Sequence, residues 1–188
     1  MPPETDGLLP YWLGAWAIQI TPEWLMAPEM AARLPFMALL VLTLAATWYA
    51  VYYLASSPGA QPVAFAFGGE AKPSDYARAI ADGALLALIA CLGLAQLSHE
   101  ATGYLAQLAC TTLIFFAVAT LPYHTVAPAV AVVVGMVGLT LAGAPALAAL
   151  LGAGSIALVA LAQAIPSERR LRWAVMLAIV TVLAAMLA

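Results

Sequence analysis

Leu34 to Ala55 reads LPFMALLVLTLAATWYAVYYLA, a run without one charged side chain, entered after Arg33 and closed by Ser56, Ser57, Pro58 and Gly59. In a helix rising 1.5 Å per residue, about 20 apolar residues cross the roughly 30 Å hydrocarbon core of a bilayer. This run is long enough to do so. Its last turns carry Trp48, Tyr49, Tyr52 and Tyr53, amphipathic rings of the kind enriched where a membrane meets water. The stretch predicts a transmembrane helix.

The rest of the chain has the same character. Only 8% of the 188 residues are charged and 65% are hydrophobic, with a mean hydropathy of +1.01; an average soluble domain is about 25% charged. Between Ala101 and Ser167 there is no Asp, Glu, Lys or Arg. A net charge of −3 excludes the basic field that draws a protein to nucleic acid. Cys91 and Cys110 fall in apolar runs and read as small buried hydrophobes rather than as a disulfide.

The same length test finds further spans at about 80–97, 104–121, 126–141, 144–165 and 171–188. The fourth and fifth spans meet at Ala142-Gly143-Ala144-Pro145, where glycine ends one helix and proline suits the first turn of the next. The expectation is an all-α, polytopic transmembrane bundle forming one membrane domain, about six spans in all, multi-pass in a bacterial inner (plasma) membrane. Short cytoplasmic loops are enriched in Lys and Arg. Placing Arg169, Arg170 and Arg172 inside also puts Lys72 and Arg78 inside, leaves Arg33 outside, and sends both termini outward.

Residues 1–33 then form an outer-face segment. Leu9 to Trp24 holds Tyr11, Trp12, Trp16 and Trp24, a density of rings that predicts a helix lying in the headgroup region. Met1 to Leu9 carries Glu4 and Asp6 and no base, unlike the start of a secretory signal. In the linker from Ser56 to Asp82, Pro62 to Gly69 is apolar but too short to cross, and reads as a loop or re-entrant segment. Ser74 is a plausible N-cap for the amphipathic turn that follows.

No metal-ligand spacing, Gly-rich phosphate loop or nucleophile elbow appears, and no metal or cofactor is expected. The chemical candidates are scattered ionisable groups, which are costly at membrane depth and so are functional hypotheses there. Asp6 is an acid, a base, a metal contact or a solvated tail carboxylate. Arg33 is a bidentate lipid-phosphate contact or a snorkelling anchor. Asp82, heading the second span, is a helix-dipole cap or a catalytic group. His99, Glu100 and His124 read as loop residues.

Leu9-Pro10-Tyr11-Trp12-Leu13, then Ala31-Ala32-Arg33-Leu34-Pro35 opening a long apolar helix, then Ala81-Asp82-Gly83-Ala84-Leu85-Leu86, together resemble the dolichyl-phosphate-mannose protein mannosyltransferase-like family. These are GT-C membrane glycosyltransferases, the aminoarabinose transferases among them. The resemblance covers residues 6 to 97, about half the chain, and implies a part of such an enzyme, since family members carry more spans. It implies transfer of a sugar from a polyprenyl-phosphate donor to a lipid or glycan, with an outer-face carboxylate as base. Asp6 and Asp82 would be the candidate catalytic carboxylates, and Tyr11, Trp12 and Arg33 would bind substrate. The charge count instead puts Asp82 at the inner end, so the two expectations diverge there. A different reading is a non-catalytic scaffold that packs on a partner membrane subunit, with Gly135, Gly138, Gly152 and Gly154 permitting close helix approach.

Overall fold

A computed structural model describes residues 7–22, 24–63, 71–91, 102–162 and 165–187. Among them every regular element is helical: α1 Leu9–Ile20, α2 Pro28–Ala55, α3 Pro73–Ile89, α4 Gly103–Thr120, α5 Val126–Leu141, α6 Pro145–Leu161 and α7 Ser167–Met186, with a short 3-10 turn at Pro58–Ala60. The candidate residues Asp6, His99 and Glu100, and most of Pro62 to Gly69, lie outside the described residues.

Among the described residues two helices, α2 and α4, are long and apolar enough to cross a membrane, and α5 and α6 are shorter apolar helices. Six spans of membrane length are therefore not established by helix length. The helices nevertheless alternate in direction. Phe36 packs on Leu105 near the starts of α2 and α4, and Tyr53 meets Tyr123 and His124 just past their ends, so these two run parallel. Between them in sequence, α3 runs back along α2, with Leu88 joining the Phe36 cluster and Asp82 opposite Trp48. The next helix, α5, returns against α4, and α6 and α7 form a hairpin packed on α5. Leu9–Ile20 lies on α2 and touches α4.

Close approach between these helices is made by small residues. A Cβ on Gly135 would stand 2.7 Å from Ile114 Cγ1 and 2.9 Å from the Cys110 carbonyl; one on Gly138 would strike Cys110 Sγ, and one on Gly152 would strike Thr181. Gly154 behaves differently, since a Cβ there meets nothing within 4 Å. On α6 the leucines Leu150 and Leu158 point outward, 69% and 59% exposed, beside the buried Gly152 and Ser155 of the same helix. Hydroxyls within the helices bond to their own backbone, Thr43 to the Leu39 carbonyl, Thr111 to Gln107, Ser155 to Leu151 and Thr181 to Leu177. That satisfies a polar group with no help from water.

The α5–α6 turn follows the sequence closely. Gly143 has φ 79°, its N–H reaches the Thr140 carbonyl at 3.1 Å, and the Ala144 N–H reaches Leu139 at 3.0 Å. This is a Schellman end, which a left-handed residue makes possible. Pro145 then opens α6. Two other segments lock onto the turn. Gln107 Nε2 donates to the Ala142 carbonyl at 2.8 Å, and Gly7 is buried so close to Ala142 and Gly143 that no Cβ fits there.

Several expected boundaries move: α2 starts at Pro28 rather than Leu34, α6 ends at Leu161 rather than Ile165 and α7 starts at Ser167 rather than Leu171, and two further shifts have a clear cause. The N-terminal helix ends at Ile20, because Thr21 turns extended ahead of Pro22. The third helix begins at Pro73, earlier than the expected 80, with Lys72 rather than Ser74 in the capping position. Proline is preorganised for a first helical position, and Ala77 and Ala81, one turn apart and fully buried, seat the new turns on α2. Asp82 thus lies in mid-helix and gains nothing from the helix dipole, while Asp75 is the first-turn acid.

Candidate functional site

At the end where α2 and α4 finish and α7 starts, side chains from distant parts of the sequence converge. Four aromatics ride on the last turns of α2. Trp48 and Tyr52, one turn apart, stack at 5.3 Å with planes 5° apart. Tyr53 Oη lies 2.8 Å from His124 Nε2, and the Tyr123 hydroxyl donates to the Tyr53 carbonyl at 3.2 Å. From α7, Arg169 Nη2 donates to Thr125 Oγ1 at 2.6 Å and to the His124 carbonyl at 3.5 Å. Burial, then the neighbouring Tyr53 phenol, push the Tyr123 phenol above its ordinary value. Lys72 and Arg78, at the start of α3, belong to this same end, where Arg78 pairs with Asp75 at 3.6 Å across an exposed turn. Such a pair contributes little to stability.

A groove of about 840 Å³ opens beside this network between α4 and α6. Phe115, Val118, Leu150 and Leu158 line it, Tyr53 and Tyr123 stand at its mouth, and the bare Gly154 forms part of its wall. An apolar cleft with a few polar groups at one end is the usual form of a small-molecule site.

The opposite end carries most of the residues that the sequence singles out. Tyr11, Trp12 and Trp16 on α1 are 52%, 43% and 56% exposed, and Trp12 and Trp16 stack one turn apart at 6.4 Å. Arg33, in the second turn of α2, is exposed and makes no hydrogen bond or ion pair among the described residues. These groups share one end because α1 packs on α2. Asp82 does not join them. Its Oδ1 accepts a 2.8 Å bond from Trp48 Nε1, and Trp48 is about 22 Å along α2 from Arg33 at 1.5 Å per residue. Arg33 and Asp82 therefore cannot bear on one reacting atom in this arrangement.

No known protein family, curated protein or solved structure matches the chain. The site must be judged on its own geometry. Among the described residues no three His, Cys, Asp or Glu side chains come together to hold a metal ion. The Tyr53–His124 contact and the Arg169–Thr125 bond are the functional-looking features that sequence reading misses. The aromatic run on α2 is conspicuous by itself, but its partners lie 71 and 70 positions away, and no local pattern points to them.

Proposed function

We propose that α2 to α7 each cross a bilayer once, and that the chain works as a GT-C-type membrane glycosyltransferase or as a part of one. The reading takes sugar from a polyprenyl-phosphate donor and gives it to a lipid or glycan acceptor. Support for the membrane comes from the many leucines and valines exposed on the outer helix faces and from glycines at the helix contacts, which suits surroundings that are themselves apolar. The basic end, with Arg169, Arg170, Arg172, Lys72 and Arg78, is then cytoplasmic. Val126–Leu141 and Pro145–Leu161, at 16 and 17 residues, are shorter than the bilayer core, a mismatch met by local thinning.

One observation carries the enzymatic reading: α1 presents an exposed aromatic face at the same end as Arg33, which has no partner among the described residues. Guanidinium matches phosphate bidentately, and tryptophan rings hold the apolar and polar parts of a lipid-linked substrate at the interface. Charge stabilisation of the departing phosphate is the role Arg33 takes. The base is Asp6, which directly precedes the wedged Gly7 in sequence. Asp82 has no part in the reaction and serves to join α3 to α2.

The test is transfer in proteoliposomes charged with radiolabelled polyprenyl-phosphate sugar. Turnover by the wild type should fall at least tenfold in Arg33→Ala and Asp6→Asn, since loss of a charge partner of the leaving group or of a general base costs about 100-fold. Asp82→Asn should stay within about twofold of wild type, because it keeps an oxygen acceptor. Absence of wild-type transfer would favour the other reading, a non-catalytic scaffold packed on a partner membrane subunit. The observation on its side is the unfilled apolar furrow of about 470 Å³ between α2 and α3, lined by Val41, Leu44, Leu85 and Ile89.

A further inference from the structure

A second cavity, of about 480 Å³, lies at the basic end between the first turns of α5 and α7. Its rim is Thr125, Glu168, Arg169 and Arg172, and its floor is Ala129, Trp173 and Met176. The spacing explains why these residues meet. Arg169, Arg172, Trp173 and Met176 follow one another at three- and four-residue steps, so they occupy one face of α7. On α5, Thr125 and Ala129 are one turn apart and line the facing wall.

Three features make the rim attractive to an anion. Arg169 is already oriented by Thr125 Oγ1 and the His124 carbonyl through Nη2, which leaves Nη1 and Nε for a ligand. Arg172 makes no hydrogen bond or ion pair among the described residues. Both helices start here without a side-chain cap: the Thr125 hydroxyl is turned to Arg169 instead of to α5, and Pro166 ahead of α7 has no side-chain acceptor. The first N–H groups of two parallel helices therefore open toward the same rim. Glu168 is the one opposing charge, so the rim carries a net charge of about +1.

A free anion would have no use for the floor. Farther along the same two helices Val130 and Val133 of α5 and Val175 and Ile179 of α7 are exposed apolar side chains. A charged head with apolar tails matches this layout. We infer that the cavity between α5 and α7 is a binding site for an anionic phospholipid, its phosphodiester on Arg169 and Arg172 and its acyl chains along α5 and α7. The site rests on the membrane reading but not on the enzymatic one, and it lies at the opposite end of the bundle from Arg33.

The experiment uses the full chain in nanodiscs of equimolar phosphatidylglycerol and phosphatidylcholine, followed by detergent release and native mass spectrometry. Wild type should retain phosphatidylglycerol about tenfold over phosphatidylcholine, the scale expected for two guanidiniums partly offset by one carboxylate. Arg169→Gln with Arg172→Gln should bring the two lipids within about twofold of each other, a smaller discrimination than even one juxtamembrane base supplies. Glu168→Gln should raise the preference, and it decides the matter if the double variant does not fold. Equal retention of both lipids by wild type, or an unchanged preference in both variants, overturns the site. So does full displacement by inorganic phosphate alone, which would mark a headgroup pocket without tails. A chain released from membranes by alkaline carbonate would instead sink the membrane reading, an outcome separate from all of these.

Discussion

Trp48 donates its indole N–H to the carboxylate of Asp82 at 2.8 Å, joining α2 to the middle of α3. Asp82 is otherwise exposed on its helix, and at membrane depth such a carboxylate is costly without a partner. Removing the donor in Trp48→Phe should lower stability by about 1.5–3 kcal/mol, the range for a hydrogen bond to a charged group. Asp82→Asn should cost less, since the acceptor remains. Denaturation midpoints in detergent would distinguish these outcomes, and a Trp48→Phe protein as stable as wild type would show that the bond is incidental.

The contact of Gly138 with Cys110 should respond to paired substitution. Gly138→Ala puts a methyl group against Sγ, and overpacking of this kind costs about 1–3 kcal/mol. Cys110→Ala removes the sulfur and should rescue most of that loss in the double variant. Interaction energies between touching residues run to about 0.5–3 kcal/mol, so additive behaviour would contradict the packing. By the same measure Gly154→Val should be nearly silent, as nothing stands within 4 Å of its Cβ position.

Sidedness can be read with single cysteines at positions 33 and 172 in a background with Cys91→Ser, Cys91 being exposed and Cys110 buried. In intact cells an impermeant maleimide should reach position 33 and not position 172. Labelling of both from outside would undo the proposed orientation.

Tyr123 supplies a pH signature. Its phenol is raised above the ordinary value by burial and by Tyr53, so the folded state holds this proton more tightly than the unfolded state does. The associated stability is complete below the ordinary tyrosine range and is lost as pH climbs through the raised value. Ultraviolet phenolate titration should show a tyrosine titrating above about 10, absent in Tyr123→Phe. The alkaline loss of stability should be shallower in that variant.

What the sequence reveals depends on how local the cause is. The end of α5 at Gly143 and the start of α6 at Pro145 are legible because each follows from a backbone preference of the residue itself. The start of α3 is not, because Ser74, Asp75, Arg78 and Asp82 give a polar look to turns that are held on α2 by Ala77 and Ala81, whose small side chains add little hydrophobic pattern. Gly152 and Gly154 carry equal weight as packing residues in a sequence. Two positions on a helix are about 200° apart, so only one can face α7, and the rotation of α6 decides which. At the site, the grouping of Tyr11, Trp12 and Arg33 follows from their nearness in the chain. The Tyr53–His124 and Arg169–Thr125 pairs depend on how whole helices are arranged, and no short-range signal encodes that.

The wedge of Gly7 against Ala142 and Gly143 sets an order of assembly. Helices made earlier on the ribosome can pair as they emerge, but the surface that receives Gly7 does not exist until α5 has ended and its turn has closed. The N-terminal segment must wait beside the bundle while most of the chain is synthesised, and long-range closure of this kind is slow and entropically costly. The aromatic helix that follows Gly7 can settle on α2 earlier, but its latch at Gly7 closes only after α5 is made. A bulkier side chain at position 7 would leave that half unlatched from an otherwise finished protein.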